Sequence, residues 1–335
     1  MKRIIVLLVL GLIALSLGAV VASADPIKIG ITQIVEHPAL DATRQGVVDA
    51  LADAGYADGT DVTFLLANAQ GDMGTALAIA QNFKAEGVDV VVGIATPTAQ
   101  AAAQVFEGTE TPIVFAAVTD PVSAGLVKDA TDPSGNANIT GASDLIDVAS
   151  DLAILKGLSP SIKRIGMVYN PGEANSAFLT DAAVEAAGPL GLTIVKAVAD
   201  TSANVPMAAQ SLVGRVDAIY VTTDNTVVSA IDSVLAASKE GKVPFLMADP
   251  TSIASATLAT GFDYYKQGLL AGSLVVEILG GKKPDEIPVA FQHDPEIHLN
   301  LDAAAEIGFT FPQAVIDDAG SILFGGITWN RASSE

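Results

Sequence analysis

Eight short apolar runs punctuate residues 27–249: IKIGITQ (Ile27–Gln33), VTFLLA (Val62–Ala67), VDVVVGI (Val88–Ile94), PIVFAAV (Pro112–Val118), RIGMVYN (Arg164–Asn170), LTIVKAV (Leu192–Val198), VDAIYVTT (Val216–Thr223) and VPFLMAD (Val243–Asp249). As a set they are continuous rather than alternating, the pattern of parallel strands covered on both faces. Amphipathic stretches such as Ala39–Ala54 and Asn225–Glu240 lie between them. This alternation predicts a doubly wound α/β architecture, in which ligands bind at the carboxyl ends of the strands.

The order of these segments repeats. VDVVVGIATPTAQAA (Val88–Ala102) lines up with VDAIYVTTDNTVVSA (Val216–Ala230), and IGITQIVE (Ile29–Glu36) with IGMVYNPG (Ile165–Gly172). Between those blocks, ALAIAQ (Ala76–Gln81) is echoed by VPMAAQ (Val205–Gln210). Three blocks in one order and at similar spacing predict two lobes of the same topology. At 335 residues the chain is long enough for both.

The repeat pairs Thr96 with Asp224 and Thr98 with Thr226. In VVVGIATPTAQAAA a strand passes into a helix with almost no loop, and Thr96-Pro97-Thr98 stands at the junction. Hydroxyls and N–H groups at a helix N-terminus suit an anion, whereas an unneutralised Asp224 suits a cation. Facing each other, the two junctions suit a zwitterion, of which a free amino acid is the simplest.

Other strand ends supply further candidates, each with a structural alternative. Gln33 and Glu36 close the first strand; Glu36 either complements an ammonium or caps the following helix. His37, held extended ahead of Pro38, reads as structural. Thr119, in Thr119-Asp120-Pro121, either contacts ligand or serves turn chemistry. Asn175 and Ser176 either donate to a carboxylate or cap their helix, and Asp224 and Asn225 carry the same ambiguity. Asp263, Tyr264 and Tyr265 form a candidate side-chain pocket in a chain with only 5% aromatics, where core packing competes.

The first residues, MKRIIVLLVLGLIALSLGAVVASADP, have a positive start, an apolar run and an Ala22-Ser23-Ala24 ending. That is the pattern of a secretory signal over residues 1–24, cleaved near Ala24, with an uncleaved anchor as the alternative. Loss of Lys2 and Arg3 takes the formal charge from −21 to −23, which disfavours nucleic acid and anionic membranes. Despite export there is no cysteine, hence neither a disulfide framework nor a lipid-anchoring cysteine. Rossmann, P-loop, serine-hydrolase and zincin motifs are missing, and three scattered histidines offer little to a metal. No cofactor, no metal and no catalytic turnover are expected.

The segments ITQIVEHPALDA, IATPTAQA, FAAVTDPVSAGLV, NITGASD, YNPGEANS, TTDNTV and GFDYYKQG, in that order, resemble ABC-transporter substrate-binding proteins of the tryptophan/tyrosine type, within the type I periplasmic-binding-protein superfamily. The likeness runs from about Ile27 to Phe311. It implies a two-lobed flytrap with three interlobe crossings that clasps an aromatic amino acid and delivers it to a membrane permease; a monomer is expected. Carried onto this chain, Thr96, Thr98, Asn175 and Ser176 would receive the α-carboxylate, Asp224 would hold the α-ammonium and Asn225 would support it. The chain departs from the family in lacking a lipobox cysteine and in the glycine-poor segment Ala248–Gly261. The first lobe is expected at 25–145 plus 257–289, and the second at 146–256 plus 290–330. Another small solute such as a nucleoside, an amide or an aliphatic amino acid, and a cleft enzyme, remain as alternatives.

Overall fold

The computed structural model describes residues 25–331, so the expected signal segment lies outside the described residues. Fourteen strands follow one another: β1 (Ile27–Gln33), β2 (Val62–Asn68), β3 (Val90–Ile94), β4 (Ile113–Val118), β5 (Ile139–Ser143), β6 (Arg164–Tyr169), β7 (Thr193–Val198), β8 (Ala218–Val221), β9 (Phe245–Met247), β10 (Leu258–Gly261), β11 (Ala290–Phe291), β12 (Glu296–Asn300), β13 (Ser321–Phe324) and β14 (Ile327–Asn330). They form two sheets, ordered β11-β5-β4-β3-β1-β2 and β14-β13-β12-β10-β9-β8-β6-β7. Every pairing in the first sheet is parallel. In the second, only β10–β12 and β13–β14 run antiparallel. Strands β1 to β5 thus occupy the same relative places as β6 to β10, which is the two-lobe repeat expected from the sequence.

Each sheet is buried on both faces, as continuous apolar runs require. Ile29 and Ile31 of β1 pack into one cluster with Val47, Leu51 and Val275, while Val91 and Phe115 face another with Phe83 and Phe106. The second sheet is sandwiched in the same way.

The chain passes between the sheets three times, after β5, after β10 and after β11. Two expected boundaries shift. Residues Leu258–Gly261 pair with β9 and β12 in the second sheet, so the return to the first lobe begins after Gly261 rather than at 257. Ala290–Phe291, expected in the second lobe, pairs with β5 in the first sheet. The strand is too short for an apolar run to reveal it.

The returning helix Tyr264–Leu279 packs on helix Pro38–Asp53 backbone to backbone. A Cβ on Gly268 would lie 2.1 Å from the Thr43 carbonyl oxygen, and one on Gly46 would lie 2.3 Å from that of Tyr265. No larger side chain fits there. The contact sets the start of the returning helix, and with it Tyr264, beside the carboxyl ends of the first sheet. Among the described residues no helix is long and apolar enough to cross a membrane.

Candidate functional site

A cavity lies between the lobes, the kind of inter-domain position where small-molecule sites form. Its wall draws on the ends of β1, β3, β4 and β5 from one lobe and β8 and β9 from the other. Two polar contacts close over it. Thr119 Oγ1 and Thr223 Oγ1 stand 3.1 Å apart. His37 Nε2 lies 3.2 Å from Ser252 Oγ and 3.6 Å from Asp249 Oδ2. Burial holds the His37 imidazole below its usual range, against the opposing pull of Asp249 and Asp41.

At the first junction, β3 runs into helix Thr96–Val105 through Ala95, whose φ of 76° and ψ of 154° are sterically costly for a residue with a Cβ. Neighbouring Ala117, in the irregular end of β4, also has a positive φ of 52°. Both alanines line the cavity. Ala95 has no side chain able to cap the helix, and the N–H groups of Thr96 and Thr98 have no hydrogen-bond partner among the described residues. Thr96 lines the cavity, whereas Thr98 turns its hydroxyl back onto the carbonyls of Ile94 and Ala95 at 2.5 and 3.1 Å.

The second junction is occupied by the protein itself. Asp224 caps the short helix Asn225–Val228 by accepting from the Val227 N–H at 2.9 Å. Its other oxygen accepts from the Asn170 N–H and the Ser176 hydroxyl, both at 2.6 Å. Glu173, from the loop after β6, accepts from the N–H groups of Asn225 (3.2 Å) and Thr226 (2.8 Å) and from both of their side chains. The Asn175 amide nitrogen donates to the Thr223 carbonyl at 2.6 Å and to Glu173, leaving its oxygen, Oδ1, buried without a partner among the described residues.

Three buried carboxylates, Asp144, Asp224 and Asp249, line the cavity together with His37; among the described residues no Lys or Arg does. Burial pushes Asp144 up to about 6, while bonds from the Tyr264 and Thr119 hydroxyls pull the other way. Asp224 rises to about 7, by burial first and by the Glu173 charge second. Desolvated acids of this kind offer strong electrostatic attraction to an ammonium. Val35, Leu40, Val228 and Met247 supply the apolar part of the wall.

Of the residues singled out in the sequence, Thr96, Thr119, Asn175, Asp224, Asn225 and Tyr264 line the cavity. The other seven do not, Tyr265 among them, whose hydroxyl donates to Asp49. Gln33 is buried and bonds to Val35, Asp41 and Arg44. Glu36 faces solvent. Pro97 is buried in the first turn of its helix, and Thr98 is tied to backbone. Ser176 serves Asp224, and Asp263 caps the returning helix at Tyr265 and Lys266. Sequence reasoning passed over Asp144, Asp249 and Glu173 and treated His37 as structural. Asp144 directly follows β5, and Asp249 ends VPFLMAD two residues beyond β9. Taking the last residues of every strand as candidates would have found both.

The family model described as ABC transporter substrate binding protein matches residues 28–323. A tyrosine-binding protein of Clostridioides difficile is 41% identical over 276 residues, 82% of this chain and 79% of that protein. A structure from Streptococcus pneumoniae in complex with L-Trp is 32% identical with a TM-score of 0.84, covering 89% of this chain and all of the other. A ligand-free, open substrate binding protein from Clostridium difficile is 39% identical, but its TM-score is only 0.66 over 88% of this chain and 98% of the other. The more similar sequence gives the poorer overlay, as a difference in lobe angle would produce. The chain belongs to the ABC transporter substrate binding protein family.

Proposed function

We propose that this chain is an extracytoplasmic receptor for a free aromatic amino acid, tyrosine or tryptophan first, which it encloses between its lobes and presents unchanged to an ABC permease. The carrying observation is the division of the cavity: a wall residue, Thr96, whose N–H is unpartnered at a helix start beside that of Thr98, and three wall carboxylates with no Lys or Arg among the described lining residues. The N–H groups of Thr96 and Thr98 receive the α-carboxylate, with the Thr96 side chain alongside. The acidic wall receives the ammonium, and Val35, Leu40, Val228 and Met247 receive the side chain. The tyrosine-binding and L-Trp-bound relatives support this ligand class.

Binding draws the population toward the closed arrangement, which the permease then recognises. Residues 1–24 act as the export signal and are removed near Ala24. One lobe comprises 25–145 and 262–291, the other 146–261 and 292–330, and the mature chain acts as a monomer.

Isothermal titration of unfolded-and-refolded mature protein against the twenty amino acids, tyramine and several nucleosides tests the proposal. One-site binding of Tyr, Trp or Phe at about micromolar Kd or tighter, with ligand of unchanged mass recovered, is expected. Exclusive binding of a nucleoside, or recovery of altered ligand, overturns it.

A further inference from the structure

The three carboxylates on the cavity wall differ in how fully their oxygens are engaged. A carboxylate has about four lone-pair sites. Asp249 accepts from the Thr251 N–H, from the Thr251 hydroxyl through both oxygens and from the Ser252 hydroxyl, at 2.7–2.9 Å, with His37 close by. Asp224 accepts three bonds at 2.6–2.9 Å, two of them from backbone N–H groups. Among the described residues Asp144 accepts two side-chain bonds from neighbours, from the Tyr264 hydroxyl at 3.0 Å and the Thr119 hydroxyl at 3.3 Å, although it is 3% exposed and lines the cavity. It therefore has the most acceptor capacity to offer and the least internal compensation for its burial.

From this we infer that Asp144, rather than Asp224, is the primary partner of the ligand's ammonium, with Asn175 Oδ1 accepting from it across the cleft. This rests on the amino-acid reading above.

Two further observations converge on it. Asn175 is 4% exposed, lines the cavity and has its Oδ1 unpartnered, so the group it meets must be a donor. A hydrogen-bonded chain also links the two acceptors: Asp144 to Thr119, Thr119 to Thr223, and the Thr223 carbonyl to the Asn175 amide. The ammonium then has an acceptor from each lobe, so binding it favours closure.

The geometry of the first lobe suits the whole head group. Thr96 follows β3 and Asp144 follows β5, with β4 between them. Two strand spacings are about 9.5 Å. That distance accommodates a hydrogen bond of about 2.9 Å at each end with an α-amino acid's carboxylate and ammonium between. Both ends of the zwitterion can engage this lobe before the second closes on it. Asp224 then belongs to the wall, held by its own lobe.

The test pairs residue changes with a change in the ligand. L-tyrosine and its deamino analogue, 3-(4-hydroxyphenyl)propanoate, are titrated by calorimetry into the mature wild-type chain, Asp144→Asn and Asp224→Asn, with thermal unfolding as the check on folding. Asp144→Asn is expected to weaken L-tyrosine by about 30-fold or more while changing the deamino analogue little, so that the wild-type preference for the amine collapses. Asp224→Asn is expected to weaken both ligands alike. Tyr264→Phe, which keeps the carboxylate but removes one of its donors, provides a second route should Asp144→Asn fold poorly. It is expected to alter L-tyrosine affinity selectively. Loss of the amine preference in Asp224→Asn, or equal weakening of both ligands in Asp144→Asn or Tyr264→Phe, overturns the assignment. If the wild type binds other amino acids but not L-tyrosine, the same cycle is run with L-tryptophan and indole-3-propanoate. If it binds no amino acid, the amino-acid reading fails and this inference fails with it.

Discussion

The helix starts after β3 and after β8 occupy the same place in the repeat, yet they have opposite chemistry. After β3 the cap is Ala95, held at a positive φ, and the N–H groups of Thr96 and Thr98 have no protein partner among the described residues. After β8 the cap is Asp224, and Glu173 reaches over to take the Asn225 and Thr226 N–H groups. One junction lacks a side-chain cap and leaves its first donors open. Its counterpart has satisfied every donor and serves as a rigid wall. A duplicated fold thus keeps its topology while leaving donors open at one junction and satisfying them at the other, and the proposed anion site is the open one.

The comparison predicts that changes after β8 appear mainly in stability, and changes after β3 mainly in binding. The largest stability effect is expected for Glu173→Ala. Removing a nearly buried acceptor leaves several donors of the Asn225–Val228 turn unpaired, at a cost of about 2–4 kcal/mol. Chemical denaturation should show a lower midpoint, and the fraction that remains folded should bind with little change. A large affinity loss with unchanged stability would mean that Glu173 contacts ligand.

A smaller effect is expected with pH. Asp144 lies at about 6 because of burial, with Asp249 adding repulsion and the Tyr264 and Thr119 hydroxyls opposing. An ammonium needs the ionised carboxylate, so amino-acid affinity falls as pH drops below about 6, by up to tenfold per unit at 1.4 kcal/mol per unit. For the ligand-free protein the sign is opposite. A carboxyl raised in the folded state binds more protons there than in the unfolded chain. Its contribution to stability is therefore lost as pH rises from about 4 through 6. Calorimetric affinity and unfolding temperature measured from pH 4.5 to 8 should move in these opposite senses. An affinity flat with pH would remove Asp144 from the ammonium site.

The smallest change is expected for Ala95→Gly. Glycine tolerates the backbone angles that alanine adopts at a cost, so the substitution should stabilise the fold by about 1 kcal/mol or less. If the stored strain helps aim the Thr96 and Thr98 N–H groups, tyrosine binds this variant more weakly despite its greater stability. Denaturation and titration of the same preparation separate the two effects.

Most of the framework was legible because burial on both sheet faces leaves a direct mark on sequence. The eight apolar runs became β1 to β4 and β6 to β9. Strand β5, ITGAS, carries too little apolar character to stand out. Strand β10 hid in the segment assigned to the wrong lobe, because sheet pairing and not composition decides where LATG belongs. Thr96, Thr119, Asn175, Asp224, Asn225 and Tyr264, reached through strand ends and the repeat, do line the cavity. What the sequence did not carry was competition among neighbours. Asp224 looked unneutralised until Ser176, Asn170 and Val227 were seen to hold it. Thr98 looked available until its hydroxyl was found on Ile94. Such three-dimensional accounting of donors leaves no periodic trace.

The most direct test of the unequal junctions is a high-resolution crystal structure of the mature chain with L-tyrosine bound. The account predicts the ligand carboxylate within hydrogen-bond distance of the Thr96 and Thr98 N–H groups, with Glu173 still bound to Asn225 and Thr226. A carboxylate seated on the Asn225 turn in place of Glu173, or a tyrosine bound outside the interlobe cavity, would contradict it.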